Sequence, residues 1–191
     1  MISPQFSQII YYGTLEILGE DELKSILKKD DLAHWPINGI SHNQLNQLES
    51  ALIERFGLLS VSGLAWRIGE SSFNKLRHEI DEIRLLGEID QRIKPLSTRL
   101  KTGFSILKNL IGHHLGIKID FIKNGEDWWV IVDNEDLIGI TNEINKNYLM
   151  GLVLEFLKWS DQGKDFHIQK VENVENDKTV KVCTIQIVNL D

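Results

Sequence analysis

Four groups of residues in this chain have side chains capable of chemistry: the adjacent His113 and His114, the carboxylates Asp133, Glu135 and Asp136 around Asn134, the lone Arg67, and the single cysteine Cys183. Consecutive helix positions point about 100° apart, so His113 and His114 cannot chelate one ion as an i, i+4 pair would. One of them could serve as a lone axial ligand to haem or another tetrapyrrole, and otherwise a helix-end histidine meets the negative pole of the helix dipole. The 133–136 carboxylates offer several oxygens to a calcium ion, but the spacing lacks the glycine and distal glutamate of an EF-hand loop, and a solvated acidic loop accounts for them. Arg67 has a planar fork of donors suited to a ligand carboxylate, or to a structural ion pair. Cys183, with alternating apolar neighbours, reads as a small buried thiol. No GxSxG, HExxH, CxxC or glycine-rich phosphate loop is present, so no nucleophile, base and oxyanion site are assembled by motif. A noncatalytic role is expected, and no metal.

The larger signal is apolar. Trp66, Phe73, Phe104, Leu107, Ile111, Trp128, Leu152 and Phe156 form an aromatic and aliphatic stripe, and Gly63, Gly69, Gly103 and Gly151 lie on the same elements. Taken one at a time these are ordinary core residues. Together, bulky rings beside small residues suggest space between helices and sheet, and apolar pockets with a few polar anchors are where small molecules bind. The expected ligand-binding set is that stripe with Arg67 as anchor.

The elements that must position these groups follow from periodicity. Apolar residues from Phe6 to Leu27 recur at three and four, broken at Gly19, and predict two helices. Asp30 to Ser41, with Pro36 and Gly39, reads as a loop. Ser41 then caps a helix with Gln44 completing a capping box, Leu45, Leu48, Leu52 and Phe56 on one face, and Gly57 as its end. A further helical stripe runs from Leu59 through Trp66 and Phe73 to Leu76, and another from Ser97 or Thr98 through Leu100, Phe104, Leu107 and Ile111 to Leu115. After Gly116 the period becomes two: Ile117, Ile119 and Phe121 lead into a turn at Asn124 and Gly125, and Trp128 to Val132 returns as the second strand. A last helix is expected from Asn147 to about Asp161 with Gly163 as its cap, then strands over Phe166 to Val174 and Thr179 to Val188, joined near Asn176 and Asp177.

Composition narrows the partners. The chain has 191 residues, 42% hydrophobic and 26% charged, with a formal net charge of -7 and a pI near 5.4. Scattered lysines and arginines in an acidic chain argue against a nucleic-acid surface and against attraction to anionic lipid. One cysteine leaves no internal disulfide framework, which suits a reducing compartment. No run approaches the roughly 20 apolar residues of a membrane span, and the N-terminus lacks the pattern of a signal peptide. A cytoplasmic protein is expected.

The C-terminal stretch from Tyr148 to Val188 resembles the 4-vinyl reductase domain or hydrocarbon-binding-protein family, which is related to TRAPP-type trafficking subunits and to haem nitric-oxide sensors. The resemblance rests on Gly151, Leu152, Leu157, Trp159, Gly163, Lys164, Phe166, Ile168, Val171, Glu172, Cys183, Ile185 and Ile187. Further upstream, Gly63-Leu64-Ala65-Trp66-Arg67-Ile68-Gly69 with Phe73, and Pro95-Leu96 with Leu100-Lys101 and Gly103-Phe104, are similar to family signatures. Glu70 departs from the pattern, as does DNEDLIGITNEINKN where many relatives carry a cysteine cluster. The resemblance implies an α+β fold with a four-stranded antiparallel sheet packed against helices, a 1–95 N-terminal helical region and a 96–191 core. It implies noncatalytic binding of a hydrophobic small molecule such as a lipid, hydrocarbon or tetrapyrrole, and a homodimer, for which exposed residues of the Leu45 to Phe56 helix or the N-terminal helices could supply the seam. The alternatives are an enzyme or accessory factor in tetrapyrrole vinyl reduction and a ligand-free assembly subunit.

Overall fold

A computed structural model describes residues 2–28, 39–87, 93–133, 142–160, 165–170, 174–176 and 179–188. Several sequence expectations lie outside these residues: most of the Asp30 to Ser41 loop, the carboxylates Glu135 and Asp136 with Asn134, the Gly163 cap with Lys164, the pair Val171 and Glu172, and the turn residue Asp177. Among the described residues no helix is long and apolar enough to cross a membrane.

The architecture is α+β, with elements in the order α1 (Pro4–Leu18), α2 (Glu20–Leu27), α3 (His42–Phe56), α4 (Leu58–Glu79), α5 (Asp81–Leu86), α6 (Leu96–Leu115), β1 (Ile119–Asn124), β2 (Asp127–Asp133), α7 (Asn142–Ser160), β3 (Asp165–Lys170), β4 (Val174–Asn176) and β5 (Thr179–Val188). It divides into two compact units, Met1–Lys75 with Ile138–Leu152, and Leu76–Leu137 with Val153–Asp191.

The first unit is helical. Ser3 caps α1 by accepting from the Phe6 amide. Gly19, at φ 80°, separates α1 from α2 in the left-handed region that disfavours side chains. The capping box expected at Ser41 is formed: its side chain accepts from the Gln44 amide while the Ser41 amide donates to Gln44 Oε1 at 2.9 Å. Leu23, Ile26, Leu48, Leu52, Val61, Ala65 and Ile144 make one buried cluster with Leu15, Phe56 and Tyr148 packed around it. Leu48 and Leu52 of the α3 stripe are therefore spent on this core.

The second unit holds the antiparallel sheet, in the order β1-β2-β5-β3, with three-residue β4 also paired to β5. Of the expected Phe166 to Val174 strand, the described residues through Lys170 lie in β3 and Val174 lies in β4, both paired with β5. The β1–β2 hairpin turns one residue later than its sequence suggests, because Asn124 pairs with Asp127 and leaves Gly125 and Glu126 in the loop. Gly125 takes φ 63°, as the first position of a mirror-image hairpin turn requires. Two helix boundaries also differ. Ile80 leaves the helical region at φ -106°, ψ 113° and starts the short α5, and α7 begins at Asn142, five residues before the expected start. Both are places where polar residues occupy a helix end and periodicity has little to mark.

Candidate functional site

The second unit carries the more open site. In α6, Leu100, Gly103, Phe104, Leu107, Ile111 and Leu115 are buried at three- and four-residue spacing. In β1 and β2 the register sets Phe121 opposite Val130 and Lys123 opposite Trp128, so Ile119, Phe121, Lys123, Trp128 and Val130 share one face of the sheet. Phe104 joins helix to sheet. Its ring stacks on Phe121 with centroids 4.4 Å apart and planes 6° from parallel, meets Trp128 edge-on at 4.9 Å, and tilts against Phe156 at 5.6 Å. Such pairs contribute about 0.5–1.5 kcal/mol each beyond area burial.

Phe104, Phe121 and Trp128 of this group form the floor of a cleft of about 490 Å³. Lys101, Ser105 and Lys108 of α6 and Asp120, Ile122 and Lys123 of β1 complete its walls. Lys108 is ion-paired with Asp120.

The first unit carries a closed site built on interlocked glycines. A Cβ on Gly69 would collide with the Tyr148 carbonyl oxygen, and one on Gly151 would collide with that of Trp66. Helices α4 and α7 therefore touch backbone to backbone at two points three residues apart on each. The expectation that these glycines leave a void is corrected here, and at Gly103 the space is taken by the Phe156 ring. Beside this crossing the Tyr148 hydroxyl and the Ser72 hydroxyl are buried without a partner of good hydrogen-bond geometry. Burial pushes the Tyr148 phenol far up, while the neighbouring Ser72 hydroxyl holds it down slightly, so the phenol stays neutral. Glu49, only 3% exposed, has a carboxylate oxygen with no partner, and burial raises its carboxyl from 4.5 to about 7.

The predicted site residues fall into both units. Trp66 (half-buried), Arg67 (exposed), Phe73 and Leu152 (both buried) belong to the first; Phe104, Leu107, Ile111, Trp128 and Phe156, all buried, belong to the second. Of these, Phe104, Trp128 and Phe156 are in mutual contact through Phe104. Sequence reasoning missed Phe121, although its alternation with Ile119 was visible, and missed the lysine walls and the Tyr148–Ser72 pair, for which no local pattern exists. His113 is exposed and His114 half-buried, their rings edge to face at 4.9 Å. Desolvation, then the His113 charge, lowers the His114 pKa against a smaller opposing pull from Glu82. Cys183 is buried in β5 opposite Val130. Among the described residues no group of three histidine, cysteine or carboxylate side chains could hold a metal ion.

No protein-family model matches the chain. No curated protein matches it either. Solved structures do, along nearly their whole length. A point mutant of the T. Tengcongensis H-NOX is 12% identical, with 99% of this chain and 98% of that one covered and a TM-score of 0.67. An oxygen-binding H-NOX domain related to soluble guanylate cyclases, in its oxygen complex, is 13% identical over 98% of this chain and 96% of that one, at 0.67. A structure from a study of haem distortion in the H-NOX family is 12% identical over 98% and 96%, at 0.69. The fold is that of these domains. This corrects the sequence-based assignment to the 4-vinyl reductase and TRAPP-related group, whose motifs here are short apolar helix and strand patterns with glycine stops. Such patterns specify periodicity and chain reversal, which different helix-on-sheet domains share.

Haem is named for one of these neighbours, and the cleft of the second unit does not fit it. Among the described residues its walls contain lysine, serine, aspartate and apolar side chains, with no histidine, cysteine, tyrosine or methionine to serve as an axial ligand. His78 and His167 are exposed on other elements, and the neutral Tyr148 phenol is not the phenolate that ferric haem takes.

Proposed function

We propose that this chain is a noncatalytic ligand-binding module that holds a small hydrophobic molecule for sensing or carriage, with the aromatic cleft of the second unit as its seat. The observation that carries this reading is the Phe104, Phe121 and Trp128 floor opening on a cleft of about 490 Å³, which is within the roughly 300–1,000 Å³ of small-molecule sites. The likeness in fold to domains described as oxygen-binding and cyclase-related supports a sensory role. A porphyrin is the less favoured ligand, because the described residues lining the cleft supply no axial donor.

Native mass spectrometry of the purified chain beside a denatured sample, with an absorbance scan, tests this. The expected result is a reproducible extra mass lost on denaturation and lost from Phe104→Arg, whose guanidinium would enter the aromatic floor. Retention of the same mass by a folded Phe104→Arg protein overturns the placement. A Soret band in the native sample overturns the preference for a ligand other than a porphyrin.

A further inference from the structure

The two ends of the aromatic cleft differ in charge, and that difference specifies a ligand. Helix α6 and strand β1 run past each other so that Lys108 meets Asp120, Phe104 stacks on Phe121, and Lys101 and Lys123 remain toward the other end. At the first end the lysine is neutralised by its own carboxylate. At the second, both lysines are exposed and have no ion-pair or hydrogen-bond partner among the described residues. Asp120 is the one carboxylate among the described residues lining the cleft, against three lysines, in a chain whose net charge is -7. Apolar floor and concentrated positive charge therefore coincide where the rest of the chain is acidic.

We propose that the cleft binds an amphipathic carboxylate, its apolar or aromatic body lying on Phe104, Phe121 and Trp128 and its anionic head between Lys101 and Lys123. This rests on the reading of the cleft as the ligand site and names the ligand class. Lysine suits this task as a mobile point charge on a flexible stem whose methylenes extend the apolar wall. A neutral hydrocarbon would gain the floor and leave both ammonium groups unused. A cation would be repelled at the open end.

The test uses the full chain and two probes of equal length, octanoate and octanol, each titrated while tryptophan emission is followed. Lys123 lies opposite Trp128 in the hairpin, so occupancy should perturb that indole, and Trp128→Phe identifies its share of the signal. Octanoate is expected to bind about tenfold more tightly than octanol. Lys101→Glu with Lys123→Glu should remove about that factor for octanoate and leave octanol unchanged. Both lysines are exposed, so the double variant is expected to fold, and a thermal melt checks it. Raising salt from about 0.05 M to about 0.5 M should weaken octanoate alone. Equal affinity for acid and alcohol, or an unaffected double variant, overturns the anionic assignment while the cleft stands. Failure of both probes to perturb Trp128 overturns the cleft itself and with it the proposed function.

Discussion

Phe104 and Phe121 lie ring on ring, 4.4 Å apart and within 6° of parallel, and this stack fastens the middle of α6 to the edge strand β1. Phe104 is buried and Phe121 half-buried, and both rings line the cleft. Phe104→Ala should cost about 3–5 kcal/mol. Phe121→Ala should cost less. A double-mutant cycle in denaturant titrations should return a coupling of about 0.5–1.5 kcal/mol, and additive losses would show that the stack contributes only as buried area.

The glycine interlock of α4 and α7 predicts a sharp asymmetry among glycine variants. Gly69→Ala and Gly151→Ala each drive a methyl into a carbonyl of the facing helix, which no rotamer change can relieve. Each should destabilise by about 1–3 kcal/mol or more. Gly63, also in α4, meets nothing within 4 Å, and Gly63→Ala should stabilise by up to about 1 kcal/mol through helix propensity. Thermal melts of the three variants would reveal equal effects if the interlock were not binding.

Glu49 makes stability depend on pH in an unusual direction. Its folded carboxyl is raised to about 7 from an unfolded 4.5, so the folded state holds the proton more tightly. The contribution is fully present below pH 4.5 and is lost as pH rises through 7, on the order of 3 kcal/mol across that window. Glu49→Gln should flatten this slope and raise stability at pH 8. A wild-type curve without a decline between pH 5 and 8, referenced to Glu49→Gln, would refute the assignment.

Tyr148 and Ser72 separate packing from recognition. Both hydroxyls are buried without a well-formed partner, so deleting one sacrifices no established hydrogen bond. Tyr148→Phe should change stability by less than about 1 kcal/mol. A loss several times larger in urea titration would show that the two hydroxyls form a working hydrogen bond in solution.

The local elements were legible because their signals are local. Gly19, Gly57 and Gly116 stop helices through positive φ, Ser41 and Gln44 form their box within four residues, and the alternation from Ile119 to Val132 is a hairpin on sight. Where the signal was weak the boundaries moved, as at Ile80, at Asn142 and in the β3 and β4 pieces. The misassigned family shows the same limit, since apolar spacing between glycines marks helices and strands without saying which domain they build.

By itself the sequence determined an acidic α+β chain with one cysteine, the apolar faces of its helices, and the absence of a motif for covalent catalysis. Only the tertiary structure decided what those faces meet. Of the glycines that read as gaps, Gly69 and Gly151 became backbone contacts, because whether a missing side chain leaves space depends on how closely another helix approaches. Lys101, Lys108, Asp120 and Lys123 look like scattered surface charges until α6 lies along β1. Their meaning is electrostatic and non-local: Lys108 is paired across the fold, while Lys101 and Lys123 have no carboxylate beside them among the described residues.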